Sequence, residues 1–229
     1  MKSLIISIIL MLSFFISKKE FAIGNLNSST SETIFLQELS IQEKIAQAYG
    51  IEHWSKVNQI DFSFVVNPGT EKEYVRRWSW KPKSRKVTRY ANGDTLTYNR
   101  NEIKESEINA DKAFVNDSFW LLFPFHLVWD DVEILTYENQ TSPLSKQPTT
   151  KLRVNYPNKG GYTPGDSYEV YVDGNFKIVE WTYHRGGTAE PSLANTFENQ
   201  QSFNGIKIDM EHANPEIGFQ LNFRDVLVK

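Results

Sequence analysis

Residues 167–184 read "SYEVYVDGNFKIVEWTYH". Side chains alternate with the period of two that marks a strand with one face buried, and Asp173-Gly174 at the centre predicts a hairpin turn. Trp181 and Tyr183 fall on one face of its second strand. The same pattern recurs on both sides. "IDFSFVV" puts Ile60, Phe62, Phe64 and Val66 on one face, opposite Asp61 and Ser63, and Asn67-Pro68-Gly69 makes a turn. "EYVRRWSW" aligns Tyr74, Arg76, Trp78 and Trp80, and "KVTRYANGDTLTYN" folds back at Asn92-Gly93. "DVEILTYE", "TKLRVNYP", "FENQQSFNGIKIDMEH" with its Asn204-Gly205 turn, and "GFQLNFRDVLVK" complete the series. About ten strands at such short spacing predict a mainly β (α+β) domain built on one large antiparallel sheet. The chain shows no internal repeat and no domain linker; Thr141–Thr150 reads as a surface loop.

Two segments break the alternation. "SIQEKIAQAYG" carries a capping box, Ser40 with Glu43 three residues on, and a stop glycine at Gly50; Ile41, Ile45, Ala48 and Tyr49 mark its buried stripe. A short turn, "IEHWSKV", follows. From Glu105 to Phe123 the spacing of Ile108, Ala110, Phe114, Val115 and Leu122 is helical, and Pro124 is expected to stop the helix. The run 119–129, "FWLLFPFHLVW", has His126 as its only ionisable side chain, although mean hydropathy of the chain is −0.46. A sheet of this size must be covered or curl on itself, and two helices cannot cover ten strands. An open half-barrel with residues 105–129 as a helical lid over its mouth satisfies both constraints.

The first residues, "MKSLIISIILMLSFFISKKEFAIGN", have a positive start and an uncharged, apolar run of about thirteen residues, within the span of a signal-peptide core and short for a membrane helix. Ala22 and Gly24 supply small residues at a cleavage site, so the expected mature chain is a single domain from Asn25 to Lys229, exported to the periplasm with no stable membrane anchor. Cleavage removes Lys2, Lys18, Lys19 and Glu20, leaving 22 basic and 27 acidic residues and a net charge of about −5. That balance argues against a nucleic-acid partner; the densest basic stretch, Arg76–Arg89, reads as an exposed strand face. With no cysteine there is no disulfide, thiolate metal site, cysteine nucleophile or lipid attachment point. Burial alone must stabilise the fold, and fifteen Phe, ten Tyr and six Trp allow a large core.

No catalytic motif stands out. His53, His126, His184 and His212 lack metal spacing, and neither HExxH nor GxSxG occurs. "DMEH" (209–212) reads as a solvated strand end, and Asp130-Asp131 as a cap. The glycines of "KGGYTPG" and "RGG" read as turn residues. The sequence calls for no cofactor, no metal and no catalytic residue. Its aromatic residues suggest instead a cavity lined by large apolar side chains: Phe62, Phe64, Trp78, Trp80, Phe114, Trp120, Phe123, Phe125, Trp129, Trp181 and Tyr183, with Arg76 on the Trp78/Trp80 face. The expected partner of a monomer with this cavity is an apolar small molecule or lipid. An envelope hydrolase or isomerase using the same cleft, and a non-catalytic scaffold or interaction module with a filled core, stay open as alternatives.

The opening "KIAQAYGIEHWSKVNQIDFSF" (44–64), the strands, "FVNDSFWLLFPFHL" (114–127) and "DSYEVYVDGNFKIVEWTY" (166–183) together resemble the periplasmic lipoprotein-carrier-like (LolA/LppX-like) superfamily, in its Bacteroidetes-type branch. The resemblance covers most of the mature chain in element order. It implies an unclosed antiparallel half-barrel with a helical lid over an apolar cavity, and carriage of lipid, acyl chains or a lipoprotein through the periplasm. It also implies an interior arginine that locks the lid, for which Arg76 is the candidate.

Overall fold

The computed structural model describes residues 38–229 apart from residues 71 and 92. The expected signal segment and leader, and Asn92 of the Asn92-Gly93 turn, lie outside the described residues. Helix α1 (Ile41–Ala48) starts at the expected capping box, with the Ser40 backbone N–H donating to Glu43 Oε2 at 2.8 Å. It stops at Gly50, whose φ of 86° suits glycine, and the Gly50 carbonyl then opens the 3₁₀ turn Ile51–Lys56. A side chain at Gly50 would also meet the Gly205 carbonyl oxygen at 2.0 Å. The helix end is thereby held against the 203–206 turn, where Lys207 N–H donates to Tyr49 C=O at 2.9 Å.

Twelve strands follow among the described residues: β1 (Ile60–Pro68), β2 (Tyr74–Lys81), β3 (Lys86–Ala91), β4 (Asp94–Asn99), β5 (Glu133–Thr141), β6 (Pro148–Asn155), β7 (Ser167–Val172), β8 (Ile178–His184), β9 (Leu193–Thr196), β10 (Glu198–Phe203), β11 (Ile206–Asn214) and β12 (Phe219–Val228). They form two antiparallel sheets in place of the one expected, ordered β10-β11-β12-β1-β2-β3-β4 and β5-β6-β7-β8-β9. The cause is local. The chain from Leu193 to Phe203 belongs to both sheets, pairing with β8 before Phe197 and with β11 after it. A strand that switches sheets makes a corner. The corner is closed by side chains reaching the other backbone: His212 Nδ1 lies 3.1 Å from Thr196 O, and Asn214 Nδ2 donates to Ala194 O at 3.0 Å. The "LANT" strand was not expected, because four residues carry too little alternation to register.

The central hairpin exists, but its turn is a five-residue loop. Asp173 Oδ1 accepts from the N–H groups of Asn175 and Lys177, and Phe176, not Gly174, takes the positive φ of 61°. At 204–205 both turn residues have positive φ, as a two-residue hairpin requires.

Helix α2 (Ile108–Trp129) is the second correction. Pro124 does not stop it. The proline removes one N–H, and the strain is absorbed at Leu122, whose φ of −125° and ψ of 24° leave the helical region as a kink. The helix continues because the side chains around the kink are buried: Leu121, Leu122, Phe123, Pro124, Phe125 and Leu127. α2 is therefore less a lid than a central post. Phe114 packs on Trp78 and Trp80 of the first sheet at 5.5 Å, and Phe123 packs on Trp181 of the second at 4.7 Å.

The 141–150 loop is more than a surface loop. Glu180, fully buried on β8, accepts the Leu144 and Ser145 backbone N–H groups at 2.7 Å and the Ser145 hydroxyl. A buried carboxylate satisfied by three donors holds the loop to the sheet.

Candidate functional site

Cross-strand register builds the site. Tyr74 on β2 faces Val66 on β1, which faces Leu221 on β12, which faces His212 on β11. One row of side chains thus crosses four strands on a single face. The next row is Arg76, Phe64 and Phe223. Above the Tyr74 end of these rows, α2 stands off the sheet and leaves a cleft of about 370 Å³. Phe64, Val66, Tyr74, Arg76, Phe219 and Leu221 line its floor and flank, Asn116 and Trp120 its helical side, and Leu193 its far edge.

Of the expected cavity residues, Phe64, Arg76 and Trp120 line this cleft. Phe62, Trp78, Phe114, Phe123, Phe125 and Trp181 are buried in the hydrophobic core, and Trp80 packs partly buried against it. Trp129 lies at the surface over Trp54, with ring centroids 4.6 Å apart, and Tyr183 donates its hydroxyl to Asp166 at 2.7 Å. The space beneath Phe114, Trp120 and Trp181 is occupied: the rings of Trp120 and Trp181 meet at 4.5 Å. Val66, Tyr74, Phe219 and Leu221 continue period-two rows that the sequence displays, so their place in the cleft was readable. Asn116 and Leu193 gave no such signal.

The strongest polar feature borders the cleft. Asp117 on α2 is completely buried, yet it accepts four hydrogen bonds: Arg76 Nε at 2.6 Å, Arg76 Nη2 at 2.5 Å, Trp78 Nε1 at 2.8 Å and Asn116 Nδ2 at 3.0 Å. The Arg76 guanidinium also stands over the Phe64 ring, 4.8 Å from its centroid. Arg76 thus joins β2 to α2, and its charge is balanced by Asp117. A second buried carboxylate, Asp111, accepts from Arg100 Nε at 2.7 Å and from the Tyr162 hydroxyl at 2.7 Å. Two fork-shaped guanidiniums therefore fix α2 against the wall. Spacing along the helix could not show this, because Arg76 comes from β2 and Arg100 from the turn after β4, both outside the helix.

"DMEH" is not a solvated strand end. Asp209 and His212 are buried, and only Glu211 is exposed. Asp209 accepts the Tyr49 hydroxyl at 2.6 Å, and that hydroxyl accepts the Ile178 N–H at 3.2 Å. Asp130 accepts the Tyr156 hydroxyl at 2.9 Å and lies 2.9 Å from His126 Nδ1. Among the described residues, no group of three His, Asp or Glu is placed to hold a metal ion.

These buried groups give a pH signature. Burial pushes the Asp209 carboxyl up to about 6, against the Tyr49 hydrogen bond that lowers it, and burial holds the His212 imidazole down at about 4. A carboxyl raised in the folded state favours folding at low pH and loses that contribution as pH rises to about 6. A depressed imidazole favours folding above 6.5 and loses that contribution as pH falls towards 4. Each limb has a slope of about 1.4 kcal/mol per pH unit, with opposite sign, so they nearly cancel between about pH 4.5 and 6. Asp209→Asn removes the first limb alone. Its denaturation midpoint is expected to fall steadily from pH 6 to 4.5 while that of the parent chain stays nearly level; a level variant would refute the assignment.

The fold and site define an open antiparallel wall wrapped around a central helix, with a small apolar cleft beside an arginine–aspartate clamp. No family model matches the chain, and no curated protein matches it. Solved structures do. A DUF1329 family protein from Desulfovibrio piger is 12% identical, with a TM-score of 0.45, covering 82% of this chain and 93% of that one. A LolA superfamily protein from Nitrosomonas europaea is 10% identical, with a TM-score of 0.44 and the same coverage. The lipoprotein LppX from Mycobacterium tuberculosis is 9% identical, with a TM-score of 0.28, covering 81% and 94%.

Proposed function

We propose that the protein is a binding protein for an apolar ligand, exported to the periplasm, where it holds a lipid or acyl chain in the cleft between α2 and the β12-β1-β2 wall. The observation that carries this reading is the cleft itself: about 370 Å³ lined mainly by Phe64, Val66, Trp120, Leu193, Phe219 and Leu221, with Arg76 and Asn116 at its rim. That volume lies at the low end for small-molecule sites. It accommodates one short chain, and a larger cargo such as a lipoprotein's acyl groups requires α2 to swing outward. The Arg76–Asp117 clamp is then the contact that gates capacity.

One observation favours a second reading, a scaffold or interaction module. Trp78, Trp181, Phe62, Phe114, Phe123 and Phe125 are all fully buried and fill the interior. The readings separate by experiment. Chain purified from a periplasmic fraction and examined by native mass spectrometry is expected to carry lipid, and stripped protein is expected to take up a fluorescent fatty-acid probe saturably. Clean apoprotein with no uptake supports the scaffold instead.

A further inference from the structure

Behind Trp120 lies a group of polar side chains that the apolar cleft does not explain. Asn195 is 0% exposed, and among the described residues neither its Nδ2 nor its Oδ1 has a hydrogen-bond partner. Trp181, its cross-strand partner on β8, is likewise 0% exposed with Nε1 unpartnered. His212 is 1% exposed with Nε2 unpartnered. An unsatisfied buried polar atom costs roughly 1–3 kcal/mol, so three such side chains in neighbouring positions are costly.

Their positions tie them to the cleft. Asn195 follows Leu193 by two residues and so shares its face of β9, and Leu193 lines the cleft. His212 ends the side-chain row that passes through cleft residues Leu221, Val66 and Tyr74. Trp120 separates the two regions. One side of its ring walls the cleft, and the ring also stands 4.5 Å from Trp181 and 5.4 Å from His212. It is only partly buried, and it is the cleft residue in contact with both Trp181 and His212.

The hydrogen-bonding roles are fixed by what each group already does. His212 Nδ1 faces the Thr196 carbonyl and must donate to it, so neutral Nε2 offers a lone pair. Asn195 Oδ1 is a second acceptor. Trp181 Nε1 and Asn195 Nδ2 are donors. A carboxylate or phosphate, which only accepts, would face two lone pairs here with no cation to balance it. An ammonium group would meet the two donors. A hydroxyl both donates and accepts, and it carries no charge into an apolar surround.

We propose that Asn195, His212 and Trp181 form a polar subsite at the inner end of the cleft that receives the hydroxyl of an uncharged amphiphile, with Trp120 as the gate. This rests on the reading of the cleft as an apolar-chain site and adds the class of ligand, a hydroxyl-bearing neutral lipid or alcohol.

The test compares three probes of one chain length by calorimetry on the full chain: decan-1-ol, 1-methoxydecane, which can only accept, and decanoate, which is charged. Decan-1-ol is expected to bind about 10-fold more tightly than either, the usual effect of one net hydrogen bond. Asn195→Leu, checked for folding by circular dichroism, is expected to bind decan-1-ol and 1-methoxydecane equally while keeping affinity for the chain. Equal binding of the alcohol and ether by the parent protein overturns the subsite and leaves the apolar cleft standing. Decanoate binding as tightly as the alcohol overturns it too. Binding of no probe at all overturns both the subsite and the cleft reading. The parent-protein comparison depends on no variant, so an unfolded Asn195→Leu does not rescue the proposal.

Discussion

Arg76→Ala is expected to destabilise the protein by about 3–5 kcal/mol, more than a surface arginine would. The side chain of Arg76 is 39% exposed, and taken alone that would place it among groups whose loss costs little. The energy lies with its partner. Asp117 is 0% exposed, and Arg76 supplies two of the four donors that make a charge tolerable there. Removing the guanidinium leaves the carboxylate to Trp78 Nε1 and the Asn116 amide, with no positive charge within the cluster. Asp117→Leu in the same chain removes the stranded charge, so the double variant Arg76→Ala, Asp117→Leu is expected to recover a large part of the loss. Urea denaturation of the two singles and the double gives the coupling. Additive losses would show that the pair is not the unit described. The same singles test gating: once α2 is released from β2, uptake of long-chain probes should rise even as stability falls.

That clamp also marks the boundary of what the sequence could show. The strands were legible because one buried face imposes period two on the side chains, and hairpins were legible wherever Asn-Gly or Asp-Gly fell between two such runs. α1 was legible down to its capping box. Three things were not. Pro124 looked like a stop because helix propensity is local, whereas burial of Phe123, Phe125 and Leu127 is tertiary and outweighs a proline kink. The corner at Phe197 was hidden because the four-residue strand before it carries too little alternation to register, and only pairing reveals the change of sheet. Asp117 and Asp111 sat in a helical segment as ordinary polar residues, since Arg76 and Arg100, which make their burial possible, lie outside the helix. The aromatic residues were the most ambiguous. Their clustering was plain, but a cavity wall and a packed core demand the same residue types, so composition alone does not divide Phe64 and Trp120 in the cleft from Phe62 and Trp181 in the core.

Trp78 makes that division measurable. It is 1% exposed, its ring meets Phe114 edge-on at 5.5 Å, and its indole N–H donates to Asp117. Trp78→Ala is therefore expected to cost the full amount for a buried aromatic, about 3–5 kcal/mol, because α2 is held by its clamps and cannot collapse into the void. Trp78→Phe separates the two contributions. It keeps most of the buried ring and deletes only the donor, so its loss should be about 1–3 kcal/mol, the cost of leaving a charged acceptor short of one partner. Both follow from denaturation midpoints at constant slope. A loss below about 1 kcal/mol for Trp78→Ala, accompanied by tighter probe binding, would mean that the ring borders open space and that the cleft reaches past Arg76 toward the core. A full loss for alanine with none for phenylalanine would mean that packing alone matters and that the indole contributes nothing to holding Asp117. With both losses as expected, Trp78 is the point where core and clamp meet: its ring anchors α2 by contact, and its N–H holds the carboxylate that keeps Arg76 at the rim of the cleft.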